Sequence, residues 1–174
     1  MELKVTSCEG VKKTTPDFWF DTDSFVTPSR GPDRFSTLPR FWEFLELKAS
    51  EQVIASSELV LNELLRSKDE LAAWAKKQQG TLFLIPDQDV QGVFSQIAEN
   101  VKNNKRFAAC QVDKFLKDAD PWVIAHAKAL GGRVVTFEKP EPTSTKPKIP
   151  DVADDFDVKC INLWDLLTEL HASF

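Results

Sequence analysis

Two acidic segments of the chain follow directly after short apolar runs, a position that suits ligand binding. Asp21 ends the run at residues 18–20, and Glu138 stands two residues after Thr136, which closes the run at residues 133–136. In open α/β sheets, ligands bind beyond the carboxyl ends of the strands. Carboxylate oxygens suit Mg²⁺, and a few convergent Asp and Glu side chains are enough to hold it. Acids at such positions could therefore hold divalent ions, which activate water and relieve charge on a leaving oxygen.

Predicted strands and helices alternate along the chain, as they must if a parallel sheet is to position these acids. Helices are predicted by apolar stripes that repeat every three or four residues, and strands by short apolar runs. The predicted strands are residues 18–20, 52–56, 81–85, 133–136 and 158–161. The predicted helices begin near residues 37, 57, 69, 87, 120 and 162, with a break near 103–104, whereas 28–36 and 139–150 are predicted loops. The alternation predicts a three-layer α/β/α fold with a mainly parallel sheet.

The length and composition fit one globular domain. The chain has 174 residues, of which 42% are hydrophobic and 28% charged. We predict an N-terminal extension over residues 1–16 and one domain over residues 17–174. Cys8, Cys110 and Cys160 are odd in number and widely spaced, which predicts reduced thiols rather than disulfides or a zinc site. No apolar run has the length of a signal peptide or a membrane span, so we predict a cytoplasmic protein without membrane contact.

The net charge of the chain bears on nucleic-acid binding. At -5, it predicts no broad cationic surface for gripping phosphates. An acidic chain can still cleave RNA if bound metal ions offset the charge at the site. Composition therefore weakens a nuclease interpretation without excluding it.

Two segments resemble the motifs of PIN domains. The segment FDTDSFV at residues 20–26 resembles their opening strand, and DPWVIAHA at residues 120–127, followed by Gly131 and a strand, is similar to their third motif. The likeness is closer still to one PIN-like subfamily, kin to VapC toxins and catalogued as a domain of unknown function. It runs in order from about residue 17 to 170. The shared features are Phe41-Trp42, Asp69-Glu70-Leu71 with Trp74, Ala-Asp-Pro-Trp at 119–122, Val135-Thr136, Glu138-Lys139-Pro140 and residues 149–152.

The resemblance implies four acidic site residues and a Mg²⁺ or Mn²⁺ cofactor. Asp21, Asp120 and Glu138 are expected to hold the metal directly, and Glu63 to bind it or orient the attacking water. The hydroxyls of Thr22, Ser24 and Thr136 are expected to support the carboxylates or the phosphate. Asp23 stands where PIN domains usually have Asn and adds one negative charge, and Ala153 replaces a frequent Cys of the subfamily.

The same resemblance implies a metal-dependent endoribonuclease, the toxin of a type II toxin–antitoxin system. Its expected partners are an RNA substrate, an antitoxin protein that blocks the cleft, and a second copy of the chain in a homodimer. Four cations in or near predicted loops are candidates for steering RNA, namely Arg30, Arg34, Arg40 and Lys139.

Two other functions stay open at this point. Asp21-Thr22-Asp23 after an apolar strand matches the nucleophile motif of phosphatases of the haloacid dehalogenase type, with Thr136, Lys139 and Asp154-Asp155 at the later motif positions. Against this, Phe25 stands where Thr or Val is usual, and residues 136–154 are too few for the usual intervening strand and helix. Net acidity and Asp23 also leave room for a non-catalytic PIN scaffold that binds a partner.

The candidate residues also have structural interpretations. Asp120 before Pro121 suits a helix N-cap, worth roughly 1 kcal/mol whatever the function. Glu63 lies at one edge of its helix's apolar stripe and Glu58 at the other, so position alone does not choose between them. His126 is predicted to pack within the protein, residues 154–157 to be a solvated charged run, and most of the five tryptophans to lie in the core.

Overall fold

A computed structural model describes residues 15–31 and 34–174. The extension at residues 1–16 thus lies outside the described residues except for its last two, and Cys8 lies outside as well. The described elements in chain order are β1 (Phe18–Phe20), α1 (Asp23–Arg30), α2 (Pro39–Ser50), β2 (Ile54–Ser57), α3 (Glu58–Leu64), α4 (Glu70–Lys77), β3 (Phe83–Leu84), α5 (Gln88–Asn103), α6 (Ala109–Lys117), α7 (Asp120–Leu130), β4 (Arg133–Val135), α8 (Ile149–Asp155), β5 (Cys160–Ile161) and α9 (Leu163–Glu169).

The five strands of the described chain form one parallel sheet in the order β3-β2-β1-β4-β5. This confirms the α/β/α fold and the parallel sheet predicted from the sequence. The central strand β1 is buried along its whole length, with Phe18, Trp19 and Phe20 at most 2% exposed. A strand covered by helices on both faces carries such a continuous apolar run. The chain reverses its strand order at β1, between β2 and β4, and this is where ligands bind in such sheets.

Helix α7 packs against the central strand β1, and this contact fixes the position of α7 relative to the sheet. The His126 ring stacks on Trp19 with centroids 4.7 Å apart, and Trp19 Nε1 donates to the Gly131 carbonyl at 2.9 Å. His126 is 1% exposed, so the prediction that it packs inside the protein is confirmed. Burial lowers the pKa of His126 to about 4, which keeps the imidazole neutral.

Glycine ends α7 and lets the chain enter β4 closely beside β1. Gly131 and Gly132 have φ values of 86° and 109°, which favour glycine. A Cβ atom on Gly132 would lie 2.8 Å from the carbonyl oxygen of Asp17. The proline-first, glycine-last pattern of this helix was therefore predicted correctly, and it brings the Asp120 end of α7 to the carboxyl edge of the sheet.

Two helices were missed by the sequence analysis. Helix α1 covers residues 23–30 and includes Pro28, and α8 begins at Ile149 with Pro150 in its first turn. Proline suits the first turn of a helix because the amide hydrogen it lacks would have had no partner there. The proline-rich composition of residues 139–150 therefore concealed a helix start. Asp154 and Asp155 are exposed as predicted, but they lie at the end of α8.

The described elements give one result on membranes. Between residues 15 and 174, leaving out 32–33, the structure contains no helix with the length and apolar character needed to cross a bilayer.

Candidate active site

The four predicted acids, from four separate segments, line one cleft at the carboxyl edge of the sheet. Asp21 follows β1, Glu63 lies near the end of α3, Asp120 begins α7 and Glu138 follows β4. The cleft encloses about 280 Å³. Its lining residues are Asp21, Thr22, Asp23, Glu63, Arg66, Asp118, Asp120, Glu138, Lys146 and Ile149. Glu58, the other candidate on α3, does not line it.

Asp21 is a buried carboxyl group held by Ser24. It is 3% exposed, and its Oδ1 accepts hydrogen bonds from the Ser24 amide at 2.8 Å and the Ser24 hydroxyl at 2.6 Å. Burial raises the pKa of Asp21 to about 6, and hydrogen bonds from Ser24 and Thr136 oppose that rise. The nearby charge of Asp23 raises it further. Ser24 and Thr136 thus have the supporting role that the resemblance implied, because they stabilise the ionised form of Asp21.

Glu63 joins the cleft to the start of α7. Its Oε2 accepts from the Thr22 hydroxyl at 2.5 Å, and its Oε1 accepts from the amide of Ala119 at 2.8 Å. A carboxylate that accepts from an amide at a helix N-terminus satisfies a donor without an intrahelical partner and interacts favourably with the helix dipole. Glu63 therefore caps α7 from another helix.

Asp120 is the acid with the most perturbed environment. The interpretation of Asp120 as a helix cap is wrong, because Ala119 occupies the cap position and its own side chain makes no capping hydrogen bond; Asp120 is the first helical residue. It is half-buried and has no hydrogen bond or ion pair with the described residues. Burial raises its pKa to about 8, and the charges of Asp21, Glu138, Glu63 and Asp118 raise it in turn. A carboxyl group so placed would be stabilised in its ionised form by a nearby cation.

Glu138 contacts the loop that closes one side of the cleft. Its Oε1 lies 3.2 Å from Lys148 Nζ, and its Oε2 accepts from the amide of Ile149 at 2.8 Å. Its own amide donates to the Thr136 hydroxyl at 3.0 Å. Glu138, which the sequence analysis chose as the fourth acid, thus lies in the cleft. It also caps α8.

The cations of the cleft were not found by the sequence analysis. Arg66 and Lys146 line it, with Lys148 beside Glu138, whereas none of the four cations proposed to steer RNA does. Arg66 lies just after α3, and Lys146 lies in the loop before α8. Asp118 was missed as well. A helix end and a long loop leave such side chains without a periodic signal, so only the folded chain shows where they lie.

The acids fit a divalent cation by donor type. In the described part of the chain, no three Asp, Glu, His or Cys side chains are close enough together to form a metal-binding group. Three of the four acids instead accept hydrogen bonds from the N-terminal ends of helices: Asp21 from α1, Glu63 from the start of α7 and Glu138 from α8. Each carboxylate oxygen has two lone pairs, so these acids keep acceptor capacity. The cluster of hard oxygen donors around the unpaired Asp120 is what Mg²⁺ or Mn²⁺ would bind.

One prediction separates the structural role of Glu63 from any role in chemistry. Glu63→Ala removes the acceptor of the Ala119 amide and is expected to lower the free energy of unfolding by about 1–2 kcal/mol. Asn62→Ala, an exposed change on the same helix, is expected to alter it by less than about 0.5 kcal/mol. Urea unfolding of both variants measures the difference. Equal stability of the two variants would show that Glu63 does not cap α7.

The fold and the cleft define the class: an α/β protein with a parallel sheet and an acidic cleft at its carboxyl edge. The family model described as Domain of unknown function (DUF4411) matches residues 18–174, so the chain belongs to that family. No curated protein and no solved structure matched the chain. The resemblance to PIN domains stays a prediction beside this match.

Proposed function

We propose that this protein is a Mg²⁺- or Mn²⁺-dependent endoribonuclease of the PIN type. The observation that carries the proposal is the meeting of Asp21, Glu63, Asp120 and Glu138 in one cleft, although up to 117 positions separate them along the chain. Four acids that lie together with few cations nearby repel one another, and this repulsion lowers the stability of the folded protein. A bound cation offsets the loss. Burial is the main cause of the raised pKa values of Asp21 and Asp120. Charge repulsion adds to the pKa of Asp120, through Asp21, Glu138, Glu63 and Asp118.

The chain's own groups have separate tasks in the proposed reaction. A divalent cation held by Asp21, Asp120 and Glu138 supplies Lewis-acid activation of water and stabilises charge on the phosphate. Glu63 orients the attacking water, and Thr22 holds Glu63 in place through its hydroxyl. Ser24 and Thr136 keep Asp21 ionised. Arg66 and Lys146 lie at the cleft, where they bind the phosphates that flank the cleaved bond.

The test is cleavage of a random-sequence single-stranded RNA pool by the full chain. Cleavage is expected with Mn²⁺ or Mg²⁺ and is expected to stop when EDTA is added, because without the cation the acids of the cleft repel the negatively charged phosphate. Turnover of p-nitrophenyl phosphate, measured in parallel, is expected to be absent. Mn²⁺ binding without cleavage of any RNA would favour the non-catalytic scaffold instead.

The phosphatase alternative has less support from the geometry. It needs Lys139 and Asp154-Asp155 beside Asp21, but Lys139 lines a neighbouring groove and the two aspartates line a separate cavity. Metal-dependent turnover of p-nitrophenyl phosphate that Asp21→Asn abolishes would nevertheless replace the nuclease proposal.

The kinship with VapC toxins extends the proposal to the cell. The protein acts in the cytoplasm as a toxin, an antitoxin covers the acidic cleft, and two copies form a homodimer. Cys110 and Cys160 are free thiols, which supports a reducing compartment.

A further inference from the structure

A groove that contains Phe137 lies beside the acidic cleft, and Glu138 lines both. Phe137 is placed between Thr136 and Glu138, so the groove and the cleft meet at consecutive positions of one chain segment. The groove encloses about 320 Å³. Its lining residues are Thr136, Phe137, Glu138, Lys139, Pro140, Pro150, Cys160, Ile161, Asn162 and Asp165.

Trp164 lies beside this groove, because its ring contacts Phe137 and its chain neighbour Asp165 lines the groove. It is 46% exposed, whereas Trp19, Trp42 and Trp74 are at most 7% exposed and agree with the core packing predicted for most tryptophans. Trp122 is stacked on Phe94 with centroids 3.8 Å apart. The rings of Trp164 and Phe137 lie 5.7 Å apart at an angle of 53°. Trp164 thus adds a partly exposed aromatic surface next to Phe137 of the groove.

The charges of the groove decide what can occupy it. Glu138 and Asp165 are acidic and Lys139 is the only Lys or Arg among its described lining residues, so a phosphate gains little there. A planar uncharged group gains from stacking, which every nucleobase offers through its π face. Such a contribution does not depend on cations, which acidic residues outnumber in this chain by 27 to 22.

We infer that the groove binds an unpaired base of the RNA, stacked on Trp164 and Phe137, when the adjoining phosphate lies in the acidic cleft. This inference rests on the proposed nuclease function and assigns Trp164 as a substrate-binding residue. A base inside a duplex cannot stack on a protein side chain without leaving its own stack. The groove therefore selects RNA that is single-stranded at the cleaved position.

The test uses an oligoribonucleotide that the wild type cleaves once, offered single-stranded and as a duplex. Trp164→Leu keeps an apolar side chain next to Phe137 but removes the ring, so KM for the single strand is expected to rise roughly 5- to 150-fold, the range that stacking of one base provides. The value of kcat is expected to stay within about threefold, because the acids are untouched. Trp164→Phe is expected to restore most of the loss. Leu47→Ala, which changes an exposed apolar residue on α2, is the matched control.

The outcomes separate this inference from the proposed function. Cleavage with an unchanged KM in Trp164→Leu overturns the base-binding groove and leaves the nuclease standing, and so does equal cleavage of single strand and duplex. A wild type that neither binds nor cleaves RNA overturns both. Melting curves of the variants establish that a change in KM does not come from unfolding.

Discussion

Asp120→Asn is expected to lower the rate of RNA cleavage at least about a hundredfold, which corresponds to about 2.7 kcal/mol of lost transition-state stabilisation. Asp120 is the one acid of the four with no described hydrogen-bond donor, so the amide disturbs no contact. The loss should therefore appear in kcat, measured at saturating Mn²⁺ and RNA. Asp21→Asn is expected to behave alike, since its amide oxygen can still accept both donors of Ser24.

The control removes one negative charge away from the cleft. Asp154→Asn changes an exposed residue of α8 that lines a different cavity, and its cleavage rate is expected to equal that of the wild type. If Asp120→Asn retained more than a third of the wild-type rate, the acidic cleft would not be the site of cleavage. Expression of the chain alone gives a second readout, because growth should slow with the wild type and recover with Asp21→Ala or Asp120→Ala. Equal growth in all three cases would remove the toxin proposal.

The convergence of two of the acids, Asp21 and Glu138, could be predicted because it depends on chain topology. Asp21 and Glu138 follow β1 and β4, which are adjacent and parallel, so their carboxyl ends meet at one edge. Glu63 and Asp120 came from the resemblance alone, and sequence position could not choose Glu63 over Glu58. The structure distinguishes the two residues, because the Glu63 side chain on α3 accepts a hydrogen bond from the Ala119 amide at the start of α7.

What the sequence did not reveal depends on contacts between distant segments. Lys148 and the Ile149 amide both donate to the Glu138 carboxylate, and Lys146 lines the cleft. They reach these positions because residues 139–148 fold back over the sheet edge. The loop is fixed by Asp151, which accepts from the Glu141 amide at 3.1 Å, and by the Ala108 amide, which donates to Thr145 at 2.9 Å. None of these pairs has a local pattern. The start of α8 was hidden for a related reason, since its prolines suited a loop equally well.

The stability of the metal-free protein is expected to fall as pH rises from about 6.5 to 8. The folded-state pKa of Asp120, about 8, is above its unfolded value, so the folded protein holds more protons in this range and loses stability as they leave. Asp21 contributes in the same direction up to about pH 6. The lowered pKa of His126 acts oppositely between about 4 and 6.5, because the unfolded state then binds the extra proton. Above pH 6.5 the effect of Asp120 therefore remains.

Burial and the groups that face Asp120 set the size of this effect. Burial raises its pKa most, and the charges of Asp21, Glu138, Glu63 and Asp118 raise it further, while Arg66 and Lys146 are the cations of the cleft. One proton changes stability by at most about 1.4 kcal/mol per pH unit, so the fall across this range is expected to be roughly 1–2 kcal/mol. Urea unfolding at pH 6.5, 7.2 and 8.0, in EDTA, measures it. Asp120→Asn should remove the slope, and Asp154→Asn should preserve it.

Adding Mn²⁺ is expected to reverse the trend, because the cation and the protons compete for the same carboxylates. The stabilisation follows RT ln(1 + [L]/Kd) and amounts to about 2.7 kcal/mol at a concentration of one hundred times Kd. It should therefore be larger at pH 8.0 than at pH 6.5, where more of Asp120 is protonated. A control with a Ca²⁺-free salt at the same ionic strength shows whether the stabilisation comes from Mn²⁺ binding or from general screening of the charges. If Mn²⁺ and that salt gave identical unfolding curves at pH 8.0, the four acids would not hold a metal, because a bound cation would have relieved the repulsion among them and raised the stability.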